Sequence, residues 1–147
     1  MEPTRMIRPF RPDDLEPVLA IWLAASIRAH DFIAPAFWAS KLDDMRDIYL
    51  PAAQIWVDER EGEVLGFVAL VGDVLAAIFV APSAQGGGIG SALIEQAKTV
   101  RERLELTVYS ANAASVAFYR RHGFAVISEQ LDPHTGHPEL AMAWQRD

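Results

Sequence analysis

The chain has 147 residues, 51% of them hydrophobic, with thirteen basic against twenty acidic side chains and a formal net charge of −7. That length suits a single domain, which at this size buries roughly 68–70% of its unfolded surface and builds a core without staples. Lack of cysteine excludes disulfides, a thiol nucleophile and cysteine-ligated zinc, and the acidic balance argues against wholesale nucleic-acid binding while favouring cationic or amine ligands.

In chain order, residues 5–10 predict a short strand. Asp13, with Glu16 three residues on, predicts a capping box opening a helix through Ala29, with Pro17 tolerated near its first turn. A second helix is predicted from Pro35 to Tyr49, with Phe37, Lys41, Asp44 and Ile48 on one face and Pro51 closing it. The period then changes to two, giving strands over 54–59, 64–71 and 74–80, the first two joined at Glu61-Gly62. Ser91 to Arg103 follows as a helix with Leu93, Ile94, Ala97 and Val100 inward, then a strand over 104–109. A helix from Asn112 to Arg121 ends at Gly123, a strand starts at Phe124, and Leu140, Met142 and Trp144 alternate in a last strand. The order βααβββαβαββ predicts an α/β fold with a mixed sheet. Arg5 and Arg8 precede no apolar core of signal-peptide length, and no later run is long and apolar enough to span a membrane. The expectation is therefore a cytoplasmic protein.

Four glycines fall within the six residues Gln85-Gly86-Gly87-Gly88-Ile89-Gly90, between a predicted strand and a helix opening at Ser91. Glycines let successive backbone N–H groups converge on phosphate oxygens, and a helix N-terminus adds about half a positive charge. A P-loop requires Gly-Lys-Ser/Thr, and here Ser91-Ala92 follows Gly90; a dinucleotide fingerprint requires G-x-G-x-x-G, and Gly86-x-Gly88 meets Ser91 instead. Both fit badly.

Asn112 is placed to cap the later helix, and Tyr119, two turns on, projects from the same face. Attack of an amine on a thioester expels a thiolate of pKa about 8.5, and a tyrosine of pKa about 10 within reach can supply its proton. Backbone N–H groups near Phe79 and Val80 are candidates to hold the thioester oxygen as charge develops.

These residues resemble the GNAT family of N-acetyltransferases. Gln85 to Gly90 fits its Q/R-x-x-G-x-G/A motif, Phe79-Val80-Ala81-Pro82 resembles the strand end it pairs with pantetheine, and Asn112-x-x-Ser115-x-x-Phe118-Tyr119-x-x-x-Gly123-Phe124 resembles its C-terminal signature. The resemblance implies a mostly antiparallel sheet flanked by helices, with strands 74–80 and 104–109 parallel and splayed to admit acetyl-CoA. It implies cofactor contacts from Ile78, Phe79, Val80, Gln85, Gly86, Gly87, Gly88, Ile89, Gly90, Ser91, Asn112 and Ser115, with Tyr119 as proton donor. Arg8, Trp22, His30-Asp31-Phe32, Tyr49-Leu50 and Trp56-Val57 further resemble a small bacterial subgroup that includes protein-lysine acetyltransferases.

Two departures stand out. Gly86 and Gly87 occupy positions where many relatives carry Arg or Lys, so the anion site is expected to rest almost wholly on backbone groups. Thr107 stands where relatives acting on protein N-termini carry a glutamate base, which leaves the base unassigned. His30, Phe32, Trp38, Asp73 and His134 are the substrate-side candidates. His134 and His137 flank a Gly-containing turn before a Pro and are read as turn residues rather than metal ligands. The expected partner is a small-molecule amine or a protein lysine, with no metal, nucleic acid or membrane, on a monomer or homodimer. The alternative is a non-catalytic CoA-binding regulatory module.

Overall fold

The computed structural model describes residues 5–147, the Arg5 side chain excepted. The expectation about a leader rests partly on residues 1–4, which lie outside the described residues. Strands β1 (Arg5–Pro9), β2 (Gln54–Arg60), β3 (Glu63–Val71), β4 (Val74–Val80), β5 (Arg103–Tyr109), β6 (Ala125–Leu131) and β7 (Pro138–Gln145) form one sheet in the order β1-β2-β3-β4-β5-β7-β6. Every neighbouring pair is antiparallel except β4 and β5. Those two are parallel and register at Val74↔Glu105 alone, so they part toward their C-terminal ends. The mixed sheet with one splayed parallel pair matches the expected fold class.

The helices are α1 (Leu15–Ala29), α2 (Pro35–Ser40), α3 (Leu42–Asp44), α4 (Ile89–Val100) and α5 (Ala113–Arg121). The period-two alternation of β2 and β3 sends Ile55, Val57, Phe67 and Ala69 to one face, where α1 supplies Val18, Leu19, Ile21 and Trp22. It sends Trp56, Val68 and Leu70 to the other, where α4 supplies Ile89, Leu93, Ile94 and Ala97. Gly66 on β3 sits beneath α4: a Cβ there would lie 2.9 Å from Ile89 Cγ2 and 3.1 Å from Leu93 Cδ1. A hydrogen side chain lets that helix reach the sheet.

Four local expectations need correction. A 3₁₀ turn at Pro12–Asp14 precedes α1, and Asp14 rather than Asp13 is the N-cap residue of α1; its carboxylate makes no cap bond to that helix and accepts instead from the Arg11 amide at 2.7 Å, closing the 3₁₀ turn. Arg8 selects Asp14, gripping both of its oxygens at 2.8 and 3.0 Å. The helix expected over 35–49 is broken at Lys41 and ends in a π turn, Met45–Tyr49. Met45 and Leu50 would stand roughly 140° apart on a regular helix of 3.6 residues per turn; the Leu50 amide instead bonds the Met45 carbonyl, and both side chains are buried. Ile48 and Tyr49 are consequently turned outward. Helix α4 begins two residues earlier than expected, because Gly88 serves as its N-cap, and it ends at Val100, which is exposed rather than inward. Phe124 precedes β6 as a buried link, and Gly123 at φ +88° is the left-handed cap the sequence called for.

Among the described residues, no helix is long and apolar enough to cross a membrane.

Candidate active site

Beyond Val74 the β5-facing edge of β4 has no strand partner, and a cleft of about 1020 Å³ opens between the two strand ends. Ile78, Phe79 and Val80 form one wall, with Thr107, Val108 and Tyr109 opposite. Gln85 Nε2 donates to the Val80 carbonyl at 3.2 Å and ties the glycine loop to the end of β4.

The loop glycines serve two different needs. Gly86 (φ +86°) and Gly88 (φ +83°) are left-handed, and a Cβ on either would meet no atom within 4 Å. Conformation and open space, not internal packing, require glycine there. Gly90, within α4, would place a Cβ 3.3 Å from Phe118 Cε1, so it lets α4 approach α5. Gly86, Gly88 and the first turn of α4 through Ser91 line the cleft. This open cradle over a helix N-terminus fits a pyrophosphate.

A cation reaches the loop from a place the motif does not reveal. Arg60, at the end of β2, donates through Nη2 to the Gly87 carbonyl at 3.4 Å. A guanidinium from another strand thus stands beside the loop, although neither Arg60 nor Gly87 lines the cleft itself. Arg121 of α5 does line the cleft. Ser91 Oγ contacts His122 Nε2 at 3.1 Å, and burial together with nearby Lys98 lowers the pKa of His122.

Asn112 caps α5 as expected, its Oδ1 accepting from the Ser115 amide at 3.3 Å. The remaining amide nitrogen lies 3.4 Å from His30 Nε2, across 82 residues of sequence. His30 Nδ1 contacts the Ser26 carbonyl at 3.0 Å, and a carbonyl only accepts, so Nδ1 carries the proton and Nε2 is the acceptor toward Asn112. Burial lowers the His30 pKa, consistent with a neutral ring in this chain of bonds. Tyr119 faces the same cleft, packed edge-on to Phe118 and Phe124 with centroids 5.5 and 5.7 Å away, and desolvation raises its pKa.

Of the substrate-side candidates, His30 lines the cleft. Phe32 stands behind it, 5.5 Å from the Tyr109 ring, and Trp38 is a core residue stacked on His30 at 4.9 Å. His134 is exposed on the β6–β7 turn, where its amide donates to Asp132. Asp73 lies outside the cleft: it sits on the β3–β4 turn, where its carbonyl accepts from the Glu105 amide at 2.9 Å. That is the closed end of the β4–β5 pair, opposite the opening. Gly87 does not line the cleft, whereas the other expected cofactor contacts do.

Sequence reasoning missed Arg60, Tyr109 and Asp132. Tyr109 donates to Asp132, and burial plus that carboxylate push its pKa up to about 12. Asp132 is buried, and hydrogen bonds from Tyr109, the His134 amide and Thr135 outweigh desolvation to lower its pKa. An acid opening the polar turn Asp132-Pro133-His134-Thr135 was the one signal the sequence offered. Among the described residues, no group of three or more acidic or histidine side chains is arranged to hold a metal ion.

The Acetyltransferase (GNAT) domain family matches residues 51–126. The peptidyl-lysine N-acetyltransferase YiaC of Escherichia coli (strain K12) is 37% identical over 140 residues, covering 95% of this chain and 96% of that protein. The solution structure of apo-form YjaB from Escherichia coli superposes with a TM-score of 0.84 at 29% identity, over 98% of this chain and 99% of that one. The PaiA N-acetyltransferase from Thermoplasma acidophilum, solved in complex with coenzyme A, shares the fold at a TM-score of 0.83 and 15% identity, over 97% and 99% of the two chains.

Proposed function

Since the chain belongs to the Acetyltransferase (GNAT) domain family and is an N-acetyltransferase, we propose that it moves the acetyl group of acetyl-CoA directly to a primary amine, a protein lysine foremost, with Tyr119 as general acid. The observation that carries this reading is the splayed β4–β5 cleft, which has an open glycine cradle and Tyr119 along its walls. The relative YiaC, named for peptidyl-lysine acetylation, points the acceptor toward lysine.

The glycine cradle and the first turn of α4 bind the pyrophosphate, with Arg60 adding a cation at the rim. The unpaired edge of β4 takes the pantetheine arm by backbone hydrogen bonds, and its N–H groups steady the thioester oxygen as negative charge develops. The acceptor ammonium first releases a proton to solvent; the neutral amine then attacks the carbonyl carbon, a C–N bond forms, and the C–S bond breaks. Tyr119 passes its proton to the departing sulfur, and the proton that the nitrogen sheds on becoming an amide returns through solvent to the phenolate. Burial raises the pKa of the phenol, which keeps it protonated until the thiolate develops beside it. No covalent enzyme intermediate is required.

The test is thiol release from acetyl-CoA with a lysine peptide, alongside calorimetry of acetyl-CoA binding. Tyr119→Phe is expected to lose about 10²–10⁴-fold in kcat while keeping its affinity for acetyl-CoA. Full kcat in that variant removes the acid role. Tight acetyl-CoA binding with no transfer to any amine would instead support a regulatory module.

A further inference from the structure

Opposite the glycine cradle, the cleft is bounded by side chains that the transfer chemistry above does not use. Tyr109, the last residue of β5, donates its hydroxyl proton to Asp132 Oδ2. Thr135 Oγ1 lies 2.9 Å from the same carboxylate oxygen and 3.4 Å from Tyr109 Oη. The other carboxylate oxygen, Oδ1, accepts from the His134 amide at 3.0 Å. Asp132 is 7% exposed, and it lines the cleft together with Tyr109 and Glu139.

A tyrosine hydroxyl has one proton to donate and lone pairs with which to accept. Here the proton is committed to a buried carboxylate. What Tyr109 presents to the cleft is therefore an acceptor only, with the negative charge of Asp132 directly behind it. The ring of His30, which lines the cleft, stands edge-on beside it with its centroid 5.3 Å away and gives a flank for methylene groups, while Phe32 backs both rings. The combination matches a cationic N–H donor on an aliphatic stem and opposes an anionic or carbonyl-ended group.

We propose that Tyr109, oriented by Asp132, is the residue that recognises the acceptor amine, selecting a primary ammonium on an alkyl chain. This rests on amine acetylation as the reaction. Asp132 acts as a positioning residue: its carboxylate dictates which way the phenol proton points.

The test is calorimetric binding of Nα-acetyl-lysine amide to the full chain saturated with CoA, with Nα-acetyl-norleucine amide as the uncharged comparison. The wild type is expected to prefer the lysine compound. Tyr109→Phe keeps the ring and the turn, and should weaken lysine binding at least tenfold and erase the preference, with acetyl-CoA affinity unchanged. Asp132→Asn retains an oxygen for the His134 amide but sets an NH₂ against the phenol, which turns the phenol proton into the cleft. Its loss should equal or exceed that of Tyr109→Phe, and in kinetics the acceptor KM should rise. Wild-type affinity in Tyr109→Phe overturns the proposal, as does a wild type that does not distinguish the two compounds; Tyr109→Phe decides if Asp132→Asn fails to fold. Selective binding without acetyl transfer would refute the proposed reaction and leave this recognition standing. Transfer with an unaffected Tyr109→Phe would do the reverse.

Discussion

Replacing Gly88 with alanine separates the conformational role of the glycine loop from its role as a cradle. Gly88 has φ +83° and caps α4, and a Cβ there meets nothing within 4 Å. The methyl therefore costs only backbone strain in the free protein, about 1–2 kcal/mol for a non-glycine residue in the left-handed region. For a chain of this length that lowers Tm by roughly 2–8 °C. With ligand the cost is larger, because the methyl enters the space where the phosphates would sit and relief of the strain would turn amides away from them. Calorimetry with acetyl-CoA is expected to show affinity reduced more than tenfold, a loss above about 1.4 kcal/mol. Gly87→Ala is the control: its φ is not left-handed and its Cβ would lie 3.6 Å from the Ala84 carbonyl oxygen, an ordinary contact. It should melt close to wild type. Unchanged acetyl-CoA affinity in Gly88→Ala would refute the cradle.

Two further outcomes test features that the structure revealed. Arg8→Ala leaves the Asp14 carboxylate buried without its guanidinium partner, and denaturant unfolding should show a loss of about 3–5 kcal/mol. Arg8 holds the Asp14 pKa below the ordinary carboxylate range, so the pair's stabilisation is present above about pH 4, the unfolded carboxylate value. It is lost as pH falls through the lower folded value, and Arg8→Ala should remove that part of the acid dependence. Arg60→Gln withdraws the cation beside Gly87 and also a charge 3.5 Å from the buried Asp58 carboxylate; it should weaken acetyl-CoA about tenfold, or about 1.4 kcal/mol, flatten the salt dependence of binding, and lower thermal stability as well.

Much of the fold was legible because its signals are local. Unbroken apolar runs over Ile55 to Val57 and Phe67 to Leu70 mark strands buried on both faces, and Gly123 needs only its own φ to end α5. The break at Lys41 was not legible, since the residues of 35–49 are compatible with a regular helix and only the shared burial of Met45 and Leu50 favours the π turn.

The same division holds at the active site. Gln85 to Gly90 and the seven-residue step from Asn112 to Tyr119 depend on neighbouring peptide units and one helix face, so residue order alone was enough to place them together along the cleft and to propose a phosphate cradle and a proton donor. The sequence could not place Arg60 beside Gly87, His30 against Asn112, or Tyr109 on Asp132. Each of these contacts joins separate elements, and each depends on how the sheet is ordered and where β4 and β5 diverge. That geometry also removed Asp73, close to β4 in sequence but at the end where the strands still pair. Local backbone chemistry determined the cradle, whereas long-range packing decided which charges and hydroxyls stand around it.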